Sequence, residues 1–303
     1  MKNDTHLNIL MSYAYMYGET RLLDYLKKET TAGVVNLMID SGAFTKHNAK
    51  ANMSHVNVDD YCEFLQDMAK YSEKYVMLDV VGQAEQSKKN YEHMLNVGLN
   101  PMFVATMFDK DYSYIRRAVD NNPDLCVAGG VTTKGDWLIK RFQDIYRQTN
   151  GKARMHGLGY FTFPRMLQLN LASIDASSWK TAPARFGQGI YFCDKRTYRI
   201  SYHNVLSGHI KFTRSLTDKL DQHGITPRMF AQKKYHDGKY CFETIEGFMS
   251  IVCNVELQKY CKKHGLDYFL AVGGLEDLQH VVYVSENLNT VTYESYCKEF
   301  GKA

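Results

Sequence analysis

Six short, almost uninterrupted apolar runs recur through the first 180 residues, each ending at a polar or glycine-bearing corner. They are VVNLMIDSG (34–42), YVMLDVVG (75–82), PMFVATM (101–107), LCVAGGV (125–131), ARMHGLG (153–159) and LASIDASSW (171–179). A strand with one wet face alternates apolar and polar residues, whereas a continuous apolar run is buried on both faces, as in a parallel sheet. Helical periodicity lies between the runs. Tyr61, Phe64, Leu65 and Met68 fall at i, i+3, i+4 and i+7, and Leu138, Phe142, Ile145 and Tyr146 at i, i+4, i+7 and i+8. Segments 84–98 and 111–122 also read as helices.

Strand–helix alternation on this scale predicts an α/β protein, a (β/α)₈ TIM-type barrel with a helical elaboration in the C-terminal third. An open doubly wound sheet is the rival, but no GxGxxG follows the first strand. LNILMSYAY (7–15) supplies the first barrel strand, and either GIYF (189–192) or DYFLAVGG (267–274) the last. No linker, repeat or low-complexity tract interrupts the chain. The expectation is one catalytic domain over 1–303, with about 207–265 as a helical insertion.

No apolar stretch approaches the roughly 18–20 residues of a membrane helix, and the N-terminal stretch lacks a clean secretory pattern. Seven scattered cysteines without a CxxC read as reduced and structural. The expected location is therefore the cytoplasm, that of the host if a phage encodes the chain. The net charge of +4 is unevenly spread: Lys180 to Lys239 carries 12 Lys/Arg against 4 Asp/Glu, leaving the remainder acidic. Aromatic residues interleave this basic stretch. Such a mixture suits phosphates and unstacked bases, and equally a solvated basic face over ordinary core aromatics.

In a parallel barrel the C-terminal strand ends converge on one face, where the active site lies. That rule gathers Asp40, Asp79 and Asp175, with Gly129-Gly130 and Gly157-Leu158-Gly159 at two further corners. Carboxylates at one mouth repel each other and separate into acid and base roles, a pattern suited to glycosyl transfer. Each also has a structural role open to it. Asp40 could cap the next turn, Asp79 could pair with a lysine, and Asp175 could N-cap through the serines that follow.

The segments IDSGAF (39–44), MLDVVG (77–82), AGGV (128–131), GLG (157–159) and SIDASSW (173–179) resemble, in the same order, five motifs of the tRNA-guanine transglycosylase family. They span about 140 residues, and the chain looks closest to the phage-type 7-deazaguanine DNA transglycosylases. The resemblance implies an enzyme that exchanges guanine in DNA for a 7-deazaguanine base, such as preQ0 or a derivative, without a cofactor. Asp175 would be the nucleophile and Asp40 the general acid/base. Asp79 would receive the purine's N1–H and exocyclic amine, beside Ser41. Gly129 and Gly130 would offer backbone donors to its O6, and Gly157, Leu158 and Gly159 would wall the pocket. Lys180, Arg185, Arg196 and Arg199 are the candidate nucleic-acid contacts. Action on tRNA, or a non-catalytic nucleic-acid-binding subunit, are the alternatives, and a homodimer is allowed.

The chain departs from the family pattern at Ala43 and Thr45 and through Val131-Thr132-Thr133-Lys134. His156, just before Gly157, reads as a structural or stacking residue. The family's zinc motif is absent. Cys241, Cys253, Cys261 and His264 form the only local Cys/His cluster, with a spacing foreign to standard zinc sites, so no metal is expected.

Overall fold

The computed structural model describes residues 6–48, 53–106, 109, 111–129, 136–232, 242 and 244–300. Eight parallel strands form one sheet: β1 (Leu7–Ser12), β2 (Val35–Asp40), β3 (Lys74–Tyr75), β4 (Phe103–Ala105), β5 (Asp124–Val127), β6 (Arg154–Gly157), β7 (Ser173–Ala176) and β10 (Asp267–Val272). Two further strands, β8 (Gly189–Cys193) and β9 (Arg196–Ile200), make a separate hairpin. In the large sheet β10 pairs with both β1 and β7, and every other neighbour is consecutive in sequence. The remaining gap is bridged just beyond β3: Met77 N–H donates to Met102 O (3.0 Å) and Met102 N–H to Tyr75 O (2.9 Å). The sheet thus curls into the expected barrel.

Helices Thr20–Thr31, Val58–Met68, Ala84–Asn96, Tyr112–Asn121 and Asp136–Gln148 follow β1 to β5 in turn. Their starts are written locally. Asn57 accepts from Asp60 N–H (3.0 Å) and Asp111 from Tyr114 N–H (3.1 Å), each satisfying a donor that the first turn leaves free. Tyr61, Cys62, Leu65 and Met68 then bury one face of the second of these helices. After β6 only a short 3₁₀ turn, Arg165–Gln168, intervenes before β7.

The chain divides into two compact units, 1–176 with 262–278 and 177–261 with 279–303. The first holds the barrel strands. The second contains residues 207–261 of the predicted 207–265 segment and also the hairpin, while 262–265 belong to the first. GIYF therefore does not close the barrel. Asp194 and Lys195 both adopt positive φ (50° and 58°), which matches a two-residue turn that folds β8 back antiparallel on β9. Helix Ile245–Lys263 runs through this unit with nearly every residue of its first four turns buried. A helix apolar all round belongs inside a unit. Trp179 is fully buried against Phe242 (ring centres 5.9 Å apart), and its carbonyl accepts from Ser250 Oγ (2.6 Å). Among the described residues no helix is long and apolar enough to cross a membrane.

At the N-terminal end of the barrel, charged residues at the starts of three strands meet one another. Lys74 on β3, side chain 8% exposed, pairs with Asp124 on β5 (3.3 Å), which Arg154 on β6 also meets (3.4 Å). Without Lys74, the largely buried Asp124 keeps only the mostly exposed Arg154 as a partner. Lys74→Ala should lower unfolding free energy by about 3 kcal/mol, read from urea denaturation, whereas an equally truncated exposed pair such as Lys152–Asp120 should change it by under about 1 kcal/mol.

Candidate active site

Asp40 is the last residue of β2, opposite Ser12 of β1 in register. The chain turns sharply beyond it, and Gly42 N–H donates to Asp40 Oδ2 (3.0 Å). Gly42 has φ +82°, and a Cβ there would lie 2.6 Å from Ala14 Cβ and 2.8 Å from Ser12 Oγ, so only glycine fits. The capping role open to Asp40 is therefore real, and the residue as a whole is half-buried at the strand end. Burial pushes its pKa up. Gly42 N–H opposes that rise, Asp175 adds to it, and Ser12 and His156 pull it back. Ser41 is fully buried, and its hydroxyl has no hydrogen-bond partner among the described residues.

Asp79 lies four residues past β3 in a segment pinned on both sides by helix Ala84–Asn96. Asn90 Nδ2 donates to Leu78 O (3.0 Å), and Val80 N–H donates to Ser87 Oγ (2.8 Å). No lysine pairs with Asp79 among the described residues. Burial, and next the charge on Asp40, push its pKa up to about 7.

Asp175 is the third residue of β7 and is buried. It does not cap the following helix. Its Oδ1 accepts from Gly159 N–H (2.7 Å) and contacts His156 Nε2 (3.2 Å). His156 Nδ1 in turn meets Ser173 Oγ (2.8 Å). The arrangement that satisfies all three groups places the ring proton on Nε2, facing Asp175, with Nδ1 accepting from the Ser173 hydroxyl. Strand geometry explains the set. Residues 173 and 175 share one side of β7, and His156 pairs with Ser173 in register. Gly159 reaches Asp175 because the chain turns after β6: Leu158 N–H donates to Val127 O (3.1 Å), and Gly159 takes φ +63°.

Charge links the three carboxylates in sequence. Asp40 feels Asp175, Asp79 feels Asp40, and Cys126 of β5, fully buried opposite His156, feels all three after its own burial. Gly129 stands half-buried just past β5 with φ 119°, while Gly130 lies outside the described residues, as do Val131 to Lys134. The strand-end candidates Asp40, Ser41, Asp79, Gly129, Gly157, Leu158, Gly159 and Asp175 all belong to the first unit. The basic candidates belong to the second: Lys180 and Arg185 on helix Ser178–Phe186, Arg196 and Arg199 on β9. Arg185, Arg196 and Arg199 are exposed and Lys180 half-buried.

Sequence reasoning missed Ser12 and Ser173 and underrated His156. For Ser173 alone a signal was available, since it stands two residues before Asp175 in the same strand. His156 does pack edge-on to Phe269 (6.1 Å, 76°), as a stacking residue would, while also holding the carboxylate. Of the Cys/His cluster, Cys241 lies outside the described residues, and burial pushes the Cys253 and Cys261 thiols up to about 12. Among the described residues no group of three or more His, Cys, Asp or Glu is placed to hold a metal ion.

An unfolded aspartate ionises near 3.9, so between that pH and about 7 the folded chain keeps a proton on Asp79 that the unfolded chain releases. This contribution to stability is whole below about pH 4 and is lost as pH rises through 7. Asp79→Asn should flatten that slope and raise stability at pH 8 by about 2 kcal/mol, discounted for the water that still reaches the group. Urea denaturation across pH 4–8 measures it. No protein-family model matches the chain, and no curated protein matches it either.

Proposed function

We propose that the barrel mouth exchanges a purine base on a nucleic acid by double displacement, guanine leaving and a 7-deazaguanine entering, with DNA as the substrate. The observation that supports this most is the state of Asp175. One carboxylate oxygen is held by two donors, and Oδ2 has no partner among the described residues. A carboxylate so oriented, and short of solvent, is suited to attack an anomeric carbon.

Asp175 Oδ2 forms a bond to C1′ of the target nucleotide while the C1′–N9 bond breaks and its electron pair leaves with guanine. Asp40, whose burial favours the protonated form, supplies the proton to the departing base. The incoming 7-deazaguanine gives its N9 proton to the Asp40 carboxylate and attacks C1′ from the side guanine left, releasing Asp175. Two inversions restore the original configuration. Asp79 receives the purine's N1–H and exocyclic amine. Those donors favour its charged form, opposing the burial that raises its pKa. In this reading Ser41 and the backbone at Gly129 complete the pocket. The nucleotide must leave its stack to arrive, at a cost of a few kcal/mol.

Supplying labelled guanine-containing duplex DNA, and tRNA in parallel, with candidate 7-deazaguanines tests the reading through base release. Asp175→Ala should abolish exchange, and Asp175→Asn should yield no covalent adduct on denaturing gels. Exchange persisting in Asp175→Ala would overturn the assignment. His156 acts through Asp175 as a positioning residue. His156→Phe should lower kcat by about 10²-fold with little change in KM, while His156→Gln, which keeps a donor, should recover part of the loss. Equal kcat and KM effects in both variants would reject that role.

A further inference from the structure

Arg141 sits on helix Asp136–Gln148 among Leu138, Phe142 and Ile145, the stripe buried against the rest of the first unit, and is 6% exposed. Arginine is almost never so buried unless it is paired. Its Nη1 donates to the Tyr112 hydroxyl (3.0 Å), and the guanidinium carbon lies 5.2 Å from the Tyr112 ring centre. Nε and Nη2 are buried and meet no acceptor among the described residues. These two nitrogens share one edge of the planar group. Their parallel N–H bonds match the two oxygens of a carboxylate or phosphate.

No carboxylate of the described residues answers this charge. Asp144, one turn on, is tied to Arg147, and Asp111, beside Tyr112, is tied to Lys88 and Ser113. Leaving a buried charge uncompensated is strongly unfavourable. The position is informative as well. Helix side chains lean toward the helix N-terminus, and Arg141 lies in the second turn of the helix that follows β5. Tyr112 opens the helix that follows β4. Both facts set the guanidinium toward the C-terminal end of the barrel, the end of their strands at which Asp40 and Asp175 stand.

We infer that Arg141 is an oxyanion receptor between the helices that follow β4 and β5, taking a phosphate or carboxylate group bidentately through Nε and Nη2. Tyr112 holds the opposite edge and fixes the plane. The site stands independently of the base-exchange reading. Its anion comes either from a nucleic-acid phosphodiester or from a small free phosphate or carboxylate.

Thermal unfolding of the full chain tests it at constant ionic strength, with sodium chloride as the reference. The probes are inorganic phosphate, acetate, deoxyguanosine monophosphate and a thymidine dinucleotide. A binding anion at tenfold excess over its Kd should raise the midpoint by roughly 2 °C. Arg141→Lys keeps the charge without the fork and should weaken binding at least tenfold. Arg141→Met should lose the response, with a midpoint in chloride no lower than that of the parent. Should Arg141→Met fail to fold, Tyr112→Phe, which frees the anchored edge, should still show weakened binding. A response confined to the dinucleotide assigns the site to a nucleic-acid backbone, and one shared by the small anions assigns it to a free ligand. No response beyond chloride in the parent chain, or an undiminished response in the variants, overturns the inference.

Discussion

Desolvation of carboxylates is the constraint around which the barrel mouth is arranged. Asp175 is buried, and an ionised carboxyl there is tolerable only because a backbone N–H and an imidazole N–H both point at one of its oxygens. Those donors come from β6 and the turn after it, so the register of β6 against β7 and the left-handed turn at Gly159 are requirements of the charge. Asp40 and Asp79 are held differently. Each lies at or beyond a strand end with its backbone pinned, and burial raises the pKa of both. One wall of the mouth thus holds a firmly oriented carboxylate, and the other holds two groups that bind a proton readily.

The opposite end of the barrel solves the same problem by pairing. Asp124 meets both Lys74 and Arg154 at the starts of their strands. In parallel barrels the two ends commonly divide stability from chemistry in this way. The free edge of Arg141 stands out against that background. It is a buried cation that no described carboxylate compensates.

The barrel was legible because both its periodicities are strong. Continuous apolar runs marked the strands, and i, i+3, i+4 spacing marked the helices between them. The corner rule also found the three aspartates. What escaped was side-chain partnership across strands. Nothing in the order of residues says that His156 faces Ser173, because that depends on register between strands separated by a turn and a 3₁₀ segment. The final strand was ambiguous for a related reason. GIYF and DYFLAVGG are both apolar, and only the left-handed pair Asp194-Lys195 commits the first to a hairpin. Lysine is an unusual residue at such a φ, so the turn signal was weak.

The place of β10 has a consequence for the order in which the molecule can be made. Its neighbours are β1 and β7, the former more than 250 residues earlier in the chain. Until residue 272 has left the ribosome, both of those strands present an unpaired edge, and the whole 177–261 stretch must be synthesised in the interval. Unpaired edges invite wrong partners, and distant pairings close slowly. A nascent chain of this protein is therefore most exposed to aggregation late in translation, when nearly all of its core residues exist and the ring that shelters them is still open.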